Sequence, residues 1–458
     1  MTTPFGAPMR AHFLFDPNFK NLNHGSYGTY PRTVQSTLHS LQNAAEARPD
    51  AFIRITRGKG IDESRLAVSK LLNVPVNECV LVKNATTGVS TVLRNLIFQP
   101  NDALIYFDTT YGAVEHGLVS LTESTPLQTR KVEYQLPISH DELVTRFRDV
   151  VTKTRNEGLT VRVAVFDTIV SMPGVRFPFE TLTEVCRGEG ILSLIDGAHG
   201  IGHIPLDLGA LRPDFFTSNL HNHRWLFVPR GCAVLYVPLH NQHLIRTTLP
   251  TSWGFIPRSA ETSPAPAKND GSKSAFEYLF EYTPTTDDTP FLCVRSALKF
   301  RAEVCGGEDR IHAYLEKLAR SAADIVARAL GTEVMQEPGL KEGEASQLRR
   351  CGLATVRLPI AVTSDSESGH AITTVRDEKG GTYLSVKPAV VPAVSLWFRD
   401  TLIEEYGTFV PVFQYGGWLW TRLSAQVYLE ESDFEWLAGV LKECLARVEG
   451  EVGSPAKL

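Results

Sequence analysis

The sequence predicts an α/β fold: a large, mostly parallel sheet covered by helices, followed by a smaller C-terminal α+β domain. Three observations lead there. From Cys79 onward, short apolar runs alternate with amphipathic helical stretches across short loops, the pattern of a mostly parallel sheet. From Asp288 the texture changes to long helices followed by isolated strand-like segments. Finally, 458 residues with 43% hydrophobic content can bury a large core and suit two or three domains.

The elements follow in order. After a short arm, residues 22–31 (Leu22-Asn23-His24-Gly25-Ser26-Tyr27-Gly28-Thr29-Tyr30-Pro31) hold two glycines and a proline and read as a turn-rich loop. Helices are expected over 32–47 and 61–72, where apolar residues recur at helical spacing. The alternation then runs strand 79–82, helix 87–97, strand 103–107, helix 112–121, helix 140–156, strand 161–166, helix 179–187 and strand 191–195. Two more apolar strands flank the polar stretch Ser218 to Arg224. Beyond Asp288, helices are expected over 290–304, 308–330 and 433–448, with strands at 352–358 and 418–424. The polar, glycine-containing segment 363–385 reads as an exposed loop or insertion. The resulting division is an N-terminal arm (1–20), a large domain (21–287), a small C-terminal domain (288–449) and a tail (450–458).

Composition narrows the function. The net charge is −5, from 46 basic and 51 acidic residues that are interspersed, so neither nucleic acid nor an anionic membrane is an expected partner. Seven cysteines are scattered without a Cys-x-x-Cys pair, which fits reduced thiols rather than a disulfide framework or a metal site. The first 16 residues hold no long apolar run, and no stretch approaches the ~20 apolar residues of a membrane span. The expectation is a soluble, cytoplasmic protein.

Four stretches stand at the carboxyl ends of expected strands, where open α/β sheets bind ligands. Asn84-Ala85-Thr86-Thr87-Gly88 suits a phosphate at a helix N-terminus, or is simply a capped helix. Asp108-Thr109-Thr110-Tyr111-Gly112 offers an aromatic beside a turn. Asp196-Gly197-Ala198-His199-Gly200 places a carboxylate at a buried strand end, which is costly unless a cation or ring N–H meets it. The fourth holds Ser218, Asn219, His221, His223 and Arg224 close together.

Together with Leu22-Asn23-His24-Gly25-Ser26, residues 171–178 (Ser171-Met172-Pro173-Gly174-Val175-Arg176-Phe177-Pro178), residues 229–234 (Pro229-Arg230-Gly231-Cys232-Ala233-Val234), residues 246–252 and residues 422–428, these stretches resemble a known family. From Phe19 to Glu430 the chain resembles the fold-type I, pyridoxal-phosphate-dependent class V aminotransferases. The resemblance lies with the branch holding cysteine desulfurases, isopenicillin N epimerase-like proteins and, most strongly, the fungal hercynylcysteine sulfoxide lyases of ergothioneine biosynthesis. It implies an enzyme, C–S lyase- or desulfurase-like, acting on an amino acid or sulfur-containing derivative, with pyridoxal 5'-phosphate as cofactor and a homodimer as assembly. It implies roles as well. Thr86 and Thr87 would cradle the phosphate, with Ser218, Asn219 and His221 completing the cup and Thr285 reaching in from a partner subunit. Tyr111 would stack on the ring, Asp196 would face its nitrogen, and His199 would lie near its phenolic oxygen. Asn23 and Arg422 would receive the substrate, Arg422 forking its α-carboxylate.

The chain departs from that pattern at the centre of the fourth stretch. The family reads His-Lys-Trp, the lysine forming the Schiff base; this chain reads His221-Asn222-His223-Arg224-Trp225. Aligned from one side Asn222 takes the lysine's place, and from the other Arg224 does. Arg224, with His221 and Asp196, is thus left as the catalytic candidate, yet a guanidinium with a pKa above ~12 cannot form the Schiff base. Lys83 and Lys131 are lysines that could be recruited instead. Pro284 also stands where the family has glycine before the threonine, here Thr285. Four readings stay open: an enzyme with a displaced lysine, a homologue binding pyridoxal phosphate or another phosphate ligand without the lysine linkage and without turnover, a mis-read stretch in an ordinary lyase, and a non-enzymatic dimeric scaffold.

Overall fold

The computed structural model describes residues 2–221, 225–255, 257, 273–281, 286–341, 343–363, 371–376 and 381–452. Seven strands form the large sheet: β1 (Cys79–Val82), β2 (Asp102–Phe107), β3 (Gln128–Val132), β4 (Thr160–Asp167), β5 (Leu192–Asp196), β6 (Phe215–Asn219) and β7 (Ala233–Tyr236). Their order is β1-β7-β6-β5-β4-β2-β3, parallel throughout except for β7, which runs antiparallel to both its neighbours. β1, β5, β6 and β7 are buried along almost their whole length, as a sheet covered on both faces requires.

The two faces of this sheet have separate cores. Val163 and Val165 of β4, Leu194 of β5 and Phe215 of β6 pack with Val89 and Val92 of helix α1 (Ala85–Asn95) and with Val114 and Leu118 of helix α2 (Gly112–Ser124). Ala164, Phe166, Ile195 and Phe216 point the other way, into a core shared with the C-terminal half. α1 lies unusually close to the sheet. A Cβ on Gly88 would stand 2.2 Å from Thr217 Oγ1, so only glycine fits.

A second sheet holds β8 (Leu353–Val362), β9 (Ile372–Arg376), β10 (Thr382–Val386), β11 (Val412–Tyr415) and β12 (Trp418–Ser424), in the order β9-β10-β8-β12-β11. Long helices at Glu308–Leu330 and Glu431–Val452 pack on it. β9 and β10 correct the expectation of a loop over 363–385. Ile372, Thr373, Thr374 and Val375 pair antiparallel with Tyr383 to Val386, and β10 extends the sheet parallel to β8. The β-branched residues there outweigh the polar character of the segment. The expected tail also starts later, because the last helix runs through Gly450 to Val452 before the described residues end.

The arm is bound to the C-terminal half. Gly6 N donates to Val427 O (2.8 Å), Ala7 N to Glu430 Oε2 (3.0 Å), and Lys20 pairs with Asp433 (2.8 Å). No helix among the described residues is long and apolar enough to cross a membrane.

Candidate active site

The ends of β4, β5 and β6 place Asp167, Asp196 and Thr217 side by side. Asp167 is in register with Asp196, and Asp196 with Thr217. Counting in twos from Val165, Leu194 and Phe215 puts all three on the face covered by α1 and α2. Asp196 is 5% exposed, and burial pushes its carboxyl up to about 6 although Ala198 N donates to it at 3.0 Å. Asp167, 7% exposed, is raised too, first by burial and then by the neighbouring Asp196 charge. Neither carboxylate meets a cation among the described residues.

Above this row, two helix N-termini open. At α1, Asn84 Oδ1 accepts from Thr87 N (2.7 Å) and Thr87 Oγ1 (3.0 Å), while Asn219 Oδ1 accepts from Ala85 N (2.8 Å). The Asn84 cap is the expected one, and it occupies Thr87. Thr86 follows in the first turn, and no described side chain takes its amide or hydroxyl. At α2, Tyr111 caps the helix through its carbonyl, which accepts from Val114 N (2.8 Å). Tyr111 is 51% exposed, an unpacked aromatic at the start of α2.

The remaining expected phosphate and ring ligands sit deeper. Ser218 Oγ accepts from Ile201 N (3.2 Å) and donates to Gly197 O, so it ties the strand to the Asp196 loop. His221 Nδ1 accepts from Cys232 N (2.7 Å). His199 is 2% exposed, and its carbonyl accepts from His203 Nδ1 (2.9 Å). His203 Nε2 accepts in turn from Gly352 N (2.6 Å), which makes this ring a neutral Nδ1–H tautomer, and burial holds its pKa well below the usual range. His203 stacks on Trp225 with ring centroids 3.7 Å apart. Trp225 is further held by Arg301, which donates to Trp225 O, to Gly202 O (2.9 Å) and to both Glu308 oxygens (2.6 Å each). His221 and Trp225 are thus each held by their neighbours. Asn222, His223 and Arg224 lie outside the described residues, as does Thr285.

The substrate-side candidates converge from distant parts of the chain. Arg422, on β12, is 2% exposed. Its Nη2 donates to Asn23 Oδ1 (2.9 Å) and Ser26 Oγ (2.8 Å), and its Nη1 to Ser171 O (2.8 Å). Its Nε is buried with no partner. Every partner is neutral, and burial pulls the guanidinium down to about 10. Asn23 therefore orients Arg422, and Ser26 and Ser171 join it. Asp167, Ser26 and Ser171 escaped the sequence reading; the adjacency of Ser26 to Asn23 and of Ser171 to Gly174, within the quoted motifs, was the available signal.

The two alternative lysines are engaged elsewhere. Lys83 Nζ pairs with Asp288 Oδ1 (2.6 Å), which Arg57 also holds, and lies over Phe291. Lys131 pairs with Glu115 (2.8 Å) and stands 3.6 Å from Asp108; the Glu115 hydrogen bond raises its pKa, keeping it a protonated ammonium rather than a nucleophilic amine.

Comparison with known proteins shows the family and the fold. A match to the aminotransferase class-V family covers residues 30–254. An L-cysteine desulfhydrase-like protein of Epichloe uncinata, lolT1, is 44% identical over 443 residues, covering 96% of this chain and 95% of that protein. The hercynylcysteine sulfoxide lyase of Schizosaccharomyces pombe is 28% identical, covering 96% of this chain and 97% of its own. In fold, the chain is similar to the cystine C–S lyase C-DES, solved in complex with its reaction product cysteine persulfide. The TM-score is 0.67 at 17% identity, over 93% of this chain and 97% of that one.

Proposed function

We propose, from the premise that this chain belongs to the class V aminotransferase family, that it is a pyridoxal-phosphate-dependent C–S lyase acting on cysteine or a cysteine derivative. The observation that carries the reading is Arg422: a buried guanidinium with only neutral partners among the described residues, a site whose missing counter-charge an amino-acid carboxylate would supply.

The residues fit the cofactor. Asp196 is a buried carboxyl with no cation beside it among the described residues, as a protonated pyridine nitrogen would need. Tyr111 offers an unpacked ring, and the first turn of α1 around Thr86 offers N–H groups to a phosphate. Bound pyridoxal phosphate supplies an electron sink for the substrate's Cα. The chain's own residues do the rest. Arg422 receives the carboxylate, held in place by Asn23, Ser26 and Ser171. Asp196 would hold a proton on the ring nitrogen, while Ser218, Asn219 and His221 fix the strand ends that carry the site. Two identical subunits are part of the reading, with Thr285 reaching the partner's phosphate.

One observation favours a second reading, binding without the usual lysine linkage. Between Asn219 and Trp225 the sequence holds no lysine, and Lys83 and Lys131 are ion-paired. One experiment separates the two. The protein is loaded with pyridoxal phosphate, its visible spectrum recorded, borohydride added and peptides mapped, and sulfide and pyruvate are measured from cysteine. A lysine adduct with sulfide release supports the lyase using a covalent anchor. Cofactor that dialyses away, with no adduct and no sulfide, leaves a binding protein.

A further inference from the structure

The sequence motifs drew attention to one carboxylate at the strand ends, but the fold places two there. Asp167 closes β4 as Asp196 closes β5, and the two are directly in register on adjacent parallel strands, whose spacing is about 4.8 Å. Both lie, by strand alternation, on the face covered by α1 and α2. The backbone joins them as well, since Thr168 N donates to Asp196 O (3.1 Å). The titratable groups facing Asp167 are Asp196 on β5 and Tyr134, whose hydroxyl is engaged with Thr109 after β2. No lysine or arginine among the described residues pairs with either acid.

Two ionised carboxylates on adjacent strand ends, buried and without a cation among the described residues, repel too strongly to coexist; a buried pair of this kind titrates as a unit. We infer that Asp167 is a positioning residue of the cofactor site: with Asp196 it forms a carboxyl pair that holds one proton between its two members. The empty site then carries one negative charge rather than two. When a pyridinium N–H meets Asp196, the shared proton stays on Asp167 and the charge concentrates on Asp196, opposite the ring nitrogen. This consequence rests on the cofactor reading given above; the pair itself does not.

The sign of the pH effect follows from the raised acids. Such groups bind more protons folded than unfolded, so their stabilisation is present at low pH and is lost as pH rises through the folded pKa. The test is the thermal midpoint of the cofactor-free protein from about pH 5 to about pH 8, for wild type, Asp167→Asn, Asp196→Asn and the double variant. With one shared proton, either single substitution removes most of the pH slope that the double variant removes. A wild-type slope in Asp167→Asn, or losses that simply add, overturns the inference. Should Asp167→Asn fail to fold, the infrared band of a protonated carboxyl in the wild-type protein decides instead. A band that bleaches over the same pH range supports the pair, and its absence overturns it. Pyridoxal phosphate is then titrated against the same proteins by tryptophan fluorescence. Loss of a pH step in affinity in Asp167→Asn supports the role at the cofactor. Failure of wild type to bind at any pH overturns the functional reading while the midpoint data still judge the pair.

Discussion

Gly174 lies against Arg422 so closely that a Cβ would stand 2.9 Å from both Cγ and Cδ of the arginine, while its own N–H donates to Thr355 Oγ1 at 3.0 Å. The glycine is what lets the Ser171–Gly174 turn close over the guanidinium. Gly174→Ala is expected to push Arg422 out of line. A displacement near 1 Å costs on the order of 100-fold in turnover, here through weaker substrate capture. The cofactor spectrum should be unchanged; a spectrum altered as strongly as kcat/KM would mean the turn supports the fold rather than the fork.

Arg422→Lys keeps the charge but loses the bidentate fork, and Arg422→Ala loses both. Amino-acid binding should weaken by about 2 kcal/mol or more, the scale of hydrogen bonds to a charged group, with cofactor affinity little affected. Parallel titrations of cofactor and of a substrate amino acid check this. Equal losses in both would remove the carboxylate role.

Sulfur should not be handed to a thiol of this chain. All seven cysteines are buried, and burial pushes every thiol up, Cys79, Cys293, Cys305, Cys351 and Cys444 to about 12. The thiolate is the nucleophile, and these sites suppress it. The native protein is expected to resist alkylation and to carry no persulfide by mass spectrometry after exposure to cysteine. A persulfide on any of the seven would contradict the prediction.

Lys131→Gln should leave the cofactor spectrum and any borohydride adduct as they are, because its ammonium is committed to Glu115 and Asp108. Loss of an adduct in that variant would identify Lys131 as the covalent anchor after all.

Acid should destabilise the protein through its buried imidazoles. Burial lowers His140, His203 and His312, the last to about 4. A base whose folded pKa is depressed stabilises the fold above its unfolded pKa near ~6.5, and this is lost as pH falls through the folded value. Between pH ~6.5 and ~4 the thermal midpoint of His312→Gln should therefore fall less steeply than that of wild type. Identical acid limbs would show that His312 is not among the responsible groups.

Much of this architecture was legible in the letters. The apolar strands β1, β5, β6 and β7 and the helices 32–47, 140–156 and 308–330 announce themselves because buried faces impose period and composition. β3 was not legible: Gln128-Thr129-Arg130-Lys131-Val132 is an edge strand, half-buried and polar, and only its parallel register with β2 defines it. At the site, Asp196 could be found because a carboxylate closing an apolar strand stands out, and Arg422 because residues 422–428 resemble the family's motif. Asp167 could not, since its meaning comes from the strand beside it. Ser26 and Ser171 were equally silent, as polar residues in loops whose shared partner lies far along the chain.

That distance has a consequence for how the protein is made. Asn23 and Arg422 are 399 residues apart, and the arm that precedes Asn23 rests on Val427, Glu430 and Asp433. At synthesis rates of about 5–20 residues per second, the first half of the carboxylate fork waits roughly 20 to 80 s for the second. Until Arg422 has been made, the Asn23–Ser26 turn lacks the guanidinium it holds. Completion of this corner therefore waits on the 399-residue separation itself, and a chain that stops short of Arg422 would lack the guanidinium of its carboxylate fork.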